Sequence, residues 1–158
     1  MTEILNGVLQ YERAQVGIVS VLFALLMVIL GIVLWKTYRK LSRSNKWIAL
    51  VIVLVLCGVF TAYQITAKQY QNAILQDIAE QDTVSYTGEY VHDDYQKDSF
   101  YHNVYIVDDN GERVRLRYPD YHNDHQLYAD FQPLPSGESL GTIVYSKRSK
   151  IVVGWAEK

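Results

Sequence analysis

Two apolar stretches decide the fold: residues 16–35, VGIVSVLFALLMVILGIVLW, and residues 47–65, WIALVIVLVLCGVFTAYQI. Neither stretch contains a side chain that is charged at neutral pH. Each is about as long as the roughly 20 helical residues that cross a hydrocarbon core about 30 Å thick. Leu, Ile, Val and Phe make up 14 of the 20 residues in the first stretch, a composition that favours membrane insertion. We therefore expect two transmembrane helices, with the lipid bilayer as a partner of the chain.

The connecting segment, residues 36–46, carries five basic residues and no acidic one. Short loops rich in Lys and Arg stay in the cytoplasm. The sequence thus predicts a multi-pass protein of the cell membrane with a cytoplasmic loop, an external N-terminal tail over residues 1–15 and an external C-terminus. We expect the basic side chains to lie on anionic headgroups of the inner leaflet. They are Lys36, Arg39, Lys40, Arg43 and Lys46.

Beyond the second stretch, the spacing of the apolar residues along the sequence changes twice. Ala67, Tyr70, Ile74 and Ile78 recur at helical spacing, which predicts that residues 66–82 continue the second helix as an amphipathic stalk. From residue 83 the period is two, with Val, Ile, Tyr and Thr enriched, as is typical of strands. Residues 83–158 are therefore interpreted as an extracytoplasmic β-domain.

Five strands are predicted in this domain, at residues 84–91, 102–108, 112–118, 141–146 and 150–156. A short helix over residues 123–131 is expected between the third and the fourth. This order resembles a small five-stranded antiparallel β-barrel of the OB type, and an SH3-like barrel is the alternative. The fold class is thus an α+β membrane protein: a transmembrane hairpin, a stalk and a small barrel.

A row of alternating arginines marks the third strand: Arg113, Arg115 and Arg117 share one face. A two-residue turn before this strand would set Ile106 and Val104 opposite the arginines. A three-residue turn with Gly111 in a bulge would instead set Tyr105 and Asn103 there, and it is preferred because it buries the aliphatic residues. Arginine forks suit carboxylates and phosphates, so this face predicts an anionic ligand, whereas a solvated strand is the competing interpretation. Four tyrosines of polar segments are added to the candidate binding residues: Tyr95, Tyr101, Tyr121 and Tyr128.

Metal binding and catalysis have weaker support in the sequence. His122 and His125 are three residues apart and could share a helical turn, but no HExxH motif or cysteine pair accompanies them. No catalytic residue and no cofactor is predicted, since the chain lacks a nucleophile elbow and a phosphate-binding loop. The β-domain holds 12 acidic against 8 basic residues, a balance that argues against nucleic acid as a partner.

These features predict a membrane-anchored binding or assembly module of a bacterial-type cell envelope. Its partner would be an envelope protein or another copy of the chain, as in an immunity-type protein or an accessory subunit. The alternative is a structural membrane protein that acts through its hairpin, with the β-domain as a cap. A metal-dependent envelope enzyme is the least favoured interpretation.

Overall fold

The computed structural model describes residues 1–37, 40, 42–93, 100–107, 111–119 and 134–157. Two long helices come first, α1 (Thr2–Thr37) and α2 (Arg43–Glu80). Each contains a window that is long and apolar enough to cross a membrane, and no part of either window is buried within the protein. A core helix of a soluble protein would bury most of that window, so the exposed apolar surface is the notable property of both helices.

Residues Tyr11–Gln71 of the two helices form one compact unit. Within it the rings of Phe23 and Phe60 stack, with their centroids 4.0 Å apart. Gln64 Nε2 donates a hydrogen bond of 2.8 Å to Ser20 Oγ, which satisfies an amide in an otherwise apolar segment. The two predicted long apolar helices are confirmed, and α2 continues without interruption through most of the predicted stalk.

The second compact unit combines Met1–Gln10 with Asn72–Lys158. Its strands are β1 (Thr83–Asp93), β2 (Tyr101–Val107), β3 (Arg113–Pro119), β4 (Gly137–Ser146) and β5 (Val152–Glu157). The five predicted strands are therefore confirmed. The predicted helix over residues 123–131 lies outside the described residues.

The strands form an open antiparallel sheet in the order β3-β2-β1-β4-β5. The edge strands β3 and β5 approach each other at an isolated parallel bridge between Arg117 and Ile151. There Arg117 N donates to Lys150 O over 2.8 Å. The α+β class is confirmed, but a closed barrel is not, because no ladder joins the two edges along the described residues.

The core lies on one face of this sheet, where inward residues of all five strands meet. Inward positions carry Val, Ile, Leu and Tyr, so the period of two in the sequence becomes an apolar layer. Tyr118 also fixes the chain before β4, because its hydroxyl accepts a hydrogen bond of 3.0 Å from Leu134 N. The buried cluster consists of Tyr90, Val104, Ile106, Leu116, Tyr118, Leu134, Ile143, Tyr145 and Val152.

The start of α1 belongs to this unit, a packing that has no local signal in the sequence. Residues 1–15 were interpreted as a tail, whereas the chain is helical from Thr2 onward. Ile4, Leu5, Val8 and Leu9 are 0 to 6% exposed, and the first ten residues belong to the same compact unit as the sheet. Apolar residues at this helical spacing are typical of a packed helix face.

Candidate binding surface on the outer face of the sheet

The outer face of β3 carries the arginine row, and the pairing with β2 decides what lies beside it. Tyr105 pairs with Arg115 and Asn103 pairs with Arg117, so the register expected for a three-residue turn is confirmed. Gly111 has φ = 78°, a conformation that glycine adopts without strain and that suits the expected bulge. The alternation then buries Val104 and Ile106 on the opposite face.

Contacts with β2 order each of the three guanidinium groups. Arg113 lies over the ring of Tyr105, with its Cζ 4.1 Å from the ring centroid, and Arg117 lies 5.5 Å from the centroid of Tyr101. Arg115 Nε donates a hydrogen bond of 2.7 Å to Asn103 Oδ1. Because a guanidinium group has five N–H donors, these contacts orient the row, and those of Arg113 and Arg115 leave donors for a ligand.

An acidic half lies on the other side of the same face, on β1 and β4. Val91 of β1 pairs with Tyr105 on one side and with Glu138 of β4 on the other. Glu89, two residues before Val91, points the same way by the alternation of the strand and is exposed. Among the described residues neither Glu89 nor Glu138 forms an ion pair.

A cleft of about 470 Å³ spans the two halves. Arg113 and Tyr105 line its basic side, and Glu89 and Glu138 line its acidic side. Three aliphatic residues between them also line the cleft: Val91, Val107 and Leu140. Across four neighbouring strands, the cleft therefore offers first a positive group, then an apolar surface and then negative groups.

A separate group of charges joins the end of α2 to the turn between β4 and β5. The Asp77 side chain is fully buried. Its Oδ2 accepts hydrogen bonds from Ser149 N (2.8 Å) and Ser149 Oγ (2.7 Å), and its Oδ1 accepts one from Arg148 N (3.2 Å). We name Asp77, Glu80, Asp82, Lys147, Arg148 and Ser149 the helix–turn lock.

The exposed members of the helix–turn lock pair with one another. Arg148 Nη2 donates to Glu80 Oε2 over 2.6 Å, and Lys147 Nζ lies 3.2 Å from Asp82 Oδ2. The hydrogen bond to Glu80 raises the pKa of Arg148 above its ordinary value, and the charges of Asp77 and Asp82 act in the same direction. Every charge of this lock thus has a partner within the fold.

Two of the four histidines are buried beside the core. The rings of His92 and His102 lie 5.5 Å apart between centroids. His92 Nδ1 lies 3.1 Å from Leu134 O and donates to it, since a carbonyl oxygen only accepts. The described part of the chain contains no group of three His, Cys, Asp or Glu residues that could hold a metal. The sequence-based metal candidates His122 and His125 lie outside the described residues.

Six of the sequence-based binding candidates meet on one surface: Asn103, Tyr101, Tyr105, Arg113, Arg115 and Arg117. Tyr95, Tyr121 and Tyr128 lie outside the described residues, as does Arg39 of the basic loop. Glu89 and Glu138 were missed, although their alternation with core residues marks them as outward. Asp77 was missed as well, because a carboxylate on the stalk gives no sign that its partners follow some 70 residues later.

Comparison with protein-family models, curated proteins and solved structures found no match.

Proposed function

We propose that this chain is a membrane-anchored binding module of a bacterial-type cell envelope. Residues 16–35 and 47–65 span the membrane, the basic loop faces the cytoplasm and the β-domain lies outside. The unburied apolar windows of α1 and α2 support the anchoring. The five basic residues of the loop support the orientation.

The β-domain of this proposal is an OB-like barrel. Three features support it: β1 pairs with both β2 and β4, β4 pairs with β5, and the bridge between Arg117 and Ile151 is parallel. OB-type barrels are partly open, and their ligands bind on the face of strands two and three. That face carries the arginine row in this chain.

The observation that carries the function is the ordered arginine row beside Tyr101, Asn103 and Tyr105. Solvated arginines on a strand adopt many rotamers, whereas these are held by two aromatic rings and an amide oxygen. An arginine that is already ordered loses less entropy when it binds a carboxylate. The role is recognition rather than catalysis, in an immunity-type protein or an accessory subunit, and the partner presents an acidic surface.

A second candidate is a structural protein that acts through its hairpin. The Gln64–Ser20 hydrogen bond favours it, because polar bonds between apolar helices stabilise helix association in membranes. In that case the β-domain is a cap, and contacts with other proteins occur along α1 and α2.

Photo-crosslinking of the full chain in its membrane separates the two candidates. A photoreactive residue at Val107, which is exposed beside the arginine row, should give crosslinked products whose yield falls at high salt and in Arg115→Gln. The matched control is Arg13→Gln, which removes the same charge from α1. A photoreactive residue at Val21 reports on the hairpin. Products from Val21 alone, or products from Val107 that neither salt nor Arg115→Gln changes, would contradict the binding module and favour the hairpin.

A further inference from the structure

The outer face of the sheet is divided by charge along the boundary between β2 and β1. The basic half holds Arg113, Arg115 and Arg117 on β3. The acidic half holds Glu89 on β1 and Glu138 on β4, and neither forms an ion pair within the described residues. Such a face repels a ligand of uniform charge at one half and attracts it at the other.

Among the described strand residues, apolar exposure is concentrated on the same face. Among the strand residues that the structure describes, the exposed large hydrophobic side chains are Val107 and Leu140, which are 51% and 48% exposed. Both line the cleft between the two halves. Exposed aliphatic side chains next to arginine and tyrosine are typical of the centre of a protein interface.

We propose that a second copy of this chain binds to this face, so that the two sheets pack face to face around a two-fold axis. The proposal rests on the proposed function and names the partner with the acidic surface. The axis runs parallel to the strands, between β2 and β1. Rotation about it places the basic half of each copy over the acidic half of the other, as an isologous contact requires.

The register of the sheet specifies which residues would meet. Arg115, Tyr105, Val91 and Glu138 form one row across β3, β2, β1 and β4. The rotation reverses this row, so Arg115 of one copy faces Glu138 of the other and Tyr105 faces Val91. Every such contact occurs twice in a symmetric pair.

Other occupants match only part of this pattern. A free anion or an anionic membrane surface would pair with the arginines but would meet the carboxylates of Glu89 and Glu138. A cationic ligand would pair with these carboxylates but would meet the arginines. A second copy supplies both signs in the complementary order, together with aliphatic and aromatic groups for the centre of the cleft, and complementary charge is what fixes the register of an interface.

Charge reversal with rescue tests the proposal on the full chain. Two copies with different tags are expressed together, extracted from the membrane with detergent and purified through one tag. The basic variant set is Arg113→Glu with Arg115→Glu, and the acidic set is Glu89→Arg with Glu138→Arg. All four positions are exposed on the outer face, so each variant is checked for an unchanged melting temperature before the association is measured.

We expect wild-type copies to co-purify, each variant to lose co-purification with itself to the background level, and the two variants together to recover it. Recovery occurs because the half that has become acidic in one variant then faces the half that has become basic in the other. The unaltered halves of the two variants face each other with their original, opposite charges. Absence of wild-type co-purification would overturn the proposal. So would folded variants that still associate with themselves, or that fail to associate with each other.

The outcome for the second copy is distinct from the outcome for the proposed function. If copies do not associate but salt-sensitive products still form from Val107, the face binds a different protein and only the proposal of a second copy fails. If Val107 gives no products either, the binding module fails as well.

Discussion

The helix–turn lock and the outer face of the sheet both contain acidic and basic side chains, but they differ in the burial and the pairing of their acidic groups. In the lock, the buried Asp77 carboxylate accepts three hydrogen bonds from the turn between β4 and β5. On the outer face, Glu89 and Glu138 are exposed and no described residue forms an ion pair with them. The charges of the lock are paired within the chain, whereas these two carboxylates have no ion-pair partner among the described residues.

On the proposed function, this difference separates the charges that maintain the fold from those that would serve a partner. A buried carboxylate whose donors are all protein groups is costly to remove, because its partners remain buried and unpaired. Exposed charges contribute little to folding, since water solvates them almost as well as a protein partner does. Stability should therefore depend on the lock and association on the outer face.

The largest effect is expected for Asp77→Ala. The change removes the acceptor of Ser149 N at a buried position and leaves Ser149 Oγ with Ser146 Oγ, 2.6 Å away, as its partner, at a cost of about 3 kcal/mol. The melting temperature of the β-domain in the full chain should fall by roughly 10 to 20 °C, measured by near-ultraviolet circular dichroism in detergent.

The control for this change is Glu80→Gln, which removes an acid from the exposed edge of the same lock. It should lower the melting temperature by only a few degrees, because the Glu80–Arg148 pair is partly solvated. Equal decreases in melting temperature for Asp77→Ala and Glu80→Gln would show that the buried Asp77 contributes no more to stability than a surface ion pair does.

A smaller effect is expected for Gly111→Ala, which tests the turn that sets the register of the arginine row. Open space surrounds the position of an added Cβ, so the cost comes from the backbone at φ = 78° alone. We expect a loss of about 1 kcal/mol, seen as a decrease of roughly 4 to 8 °C in melting temperature. Ser85→Ala, at an exposed strand position with no special backbone, is the matched control and should change it little. An unchanged Gly111→Ala melting temperature would mean that another residue sets the turn.

Much of the fold could be predicted because it depends on local patterns. The two apolar windows, the helical spacing of the stalk and the alternation of the five strands are each formed by residues that lie close together in the sequence. The pairing of Tyr105 with Arg115 also followed from local reasoning, since only that register buries Val104 and Ile106 together with the apolar side of β3.

The remaining features depend on contacts between distant parts of the chain. The burial of Asp77 requires the turn at Ser149, and the cleft requires β4 to pair with β1, which places Glu138 beside Val91. Neither pairing has a local signal. The packing of the N-terminal segment was not predicted for a similar reason, because Leu5 and Val8 show a helical spacing whose packing surface lies far along the sequence.

The central claim is that the arginine row serves a partner and not the fold. The most direct test is the crosslinking yield from Val107 in the variant Arg113→Gln with Arg115→Gln, compared with wild type at equal melting temperature. We expect a loss of stability below about 1 kcal/mol, since Arg113 is exposed where it contacts Tyr105, together with loss of the crosslinked products. A yield that stays at the wild-type level in this folded variant would contradict it.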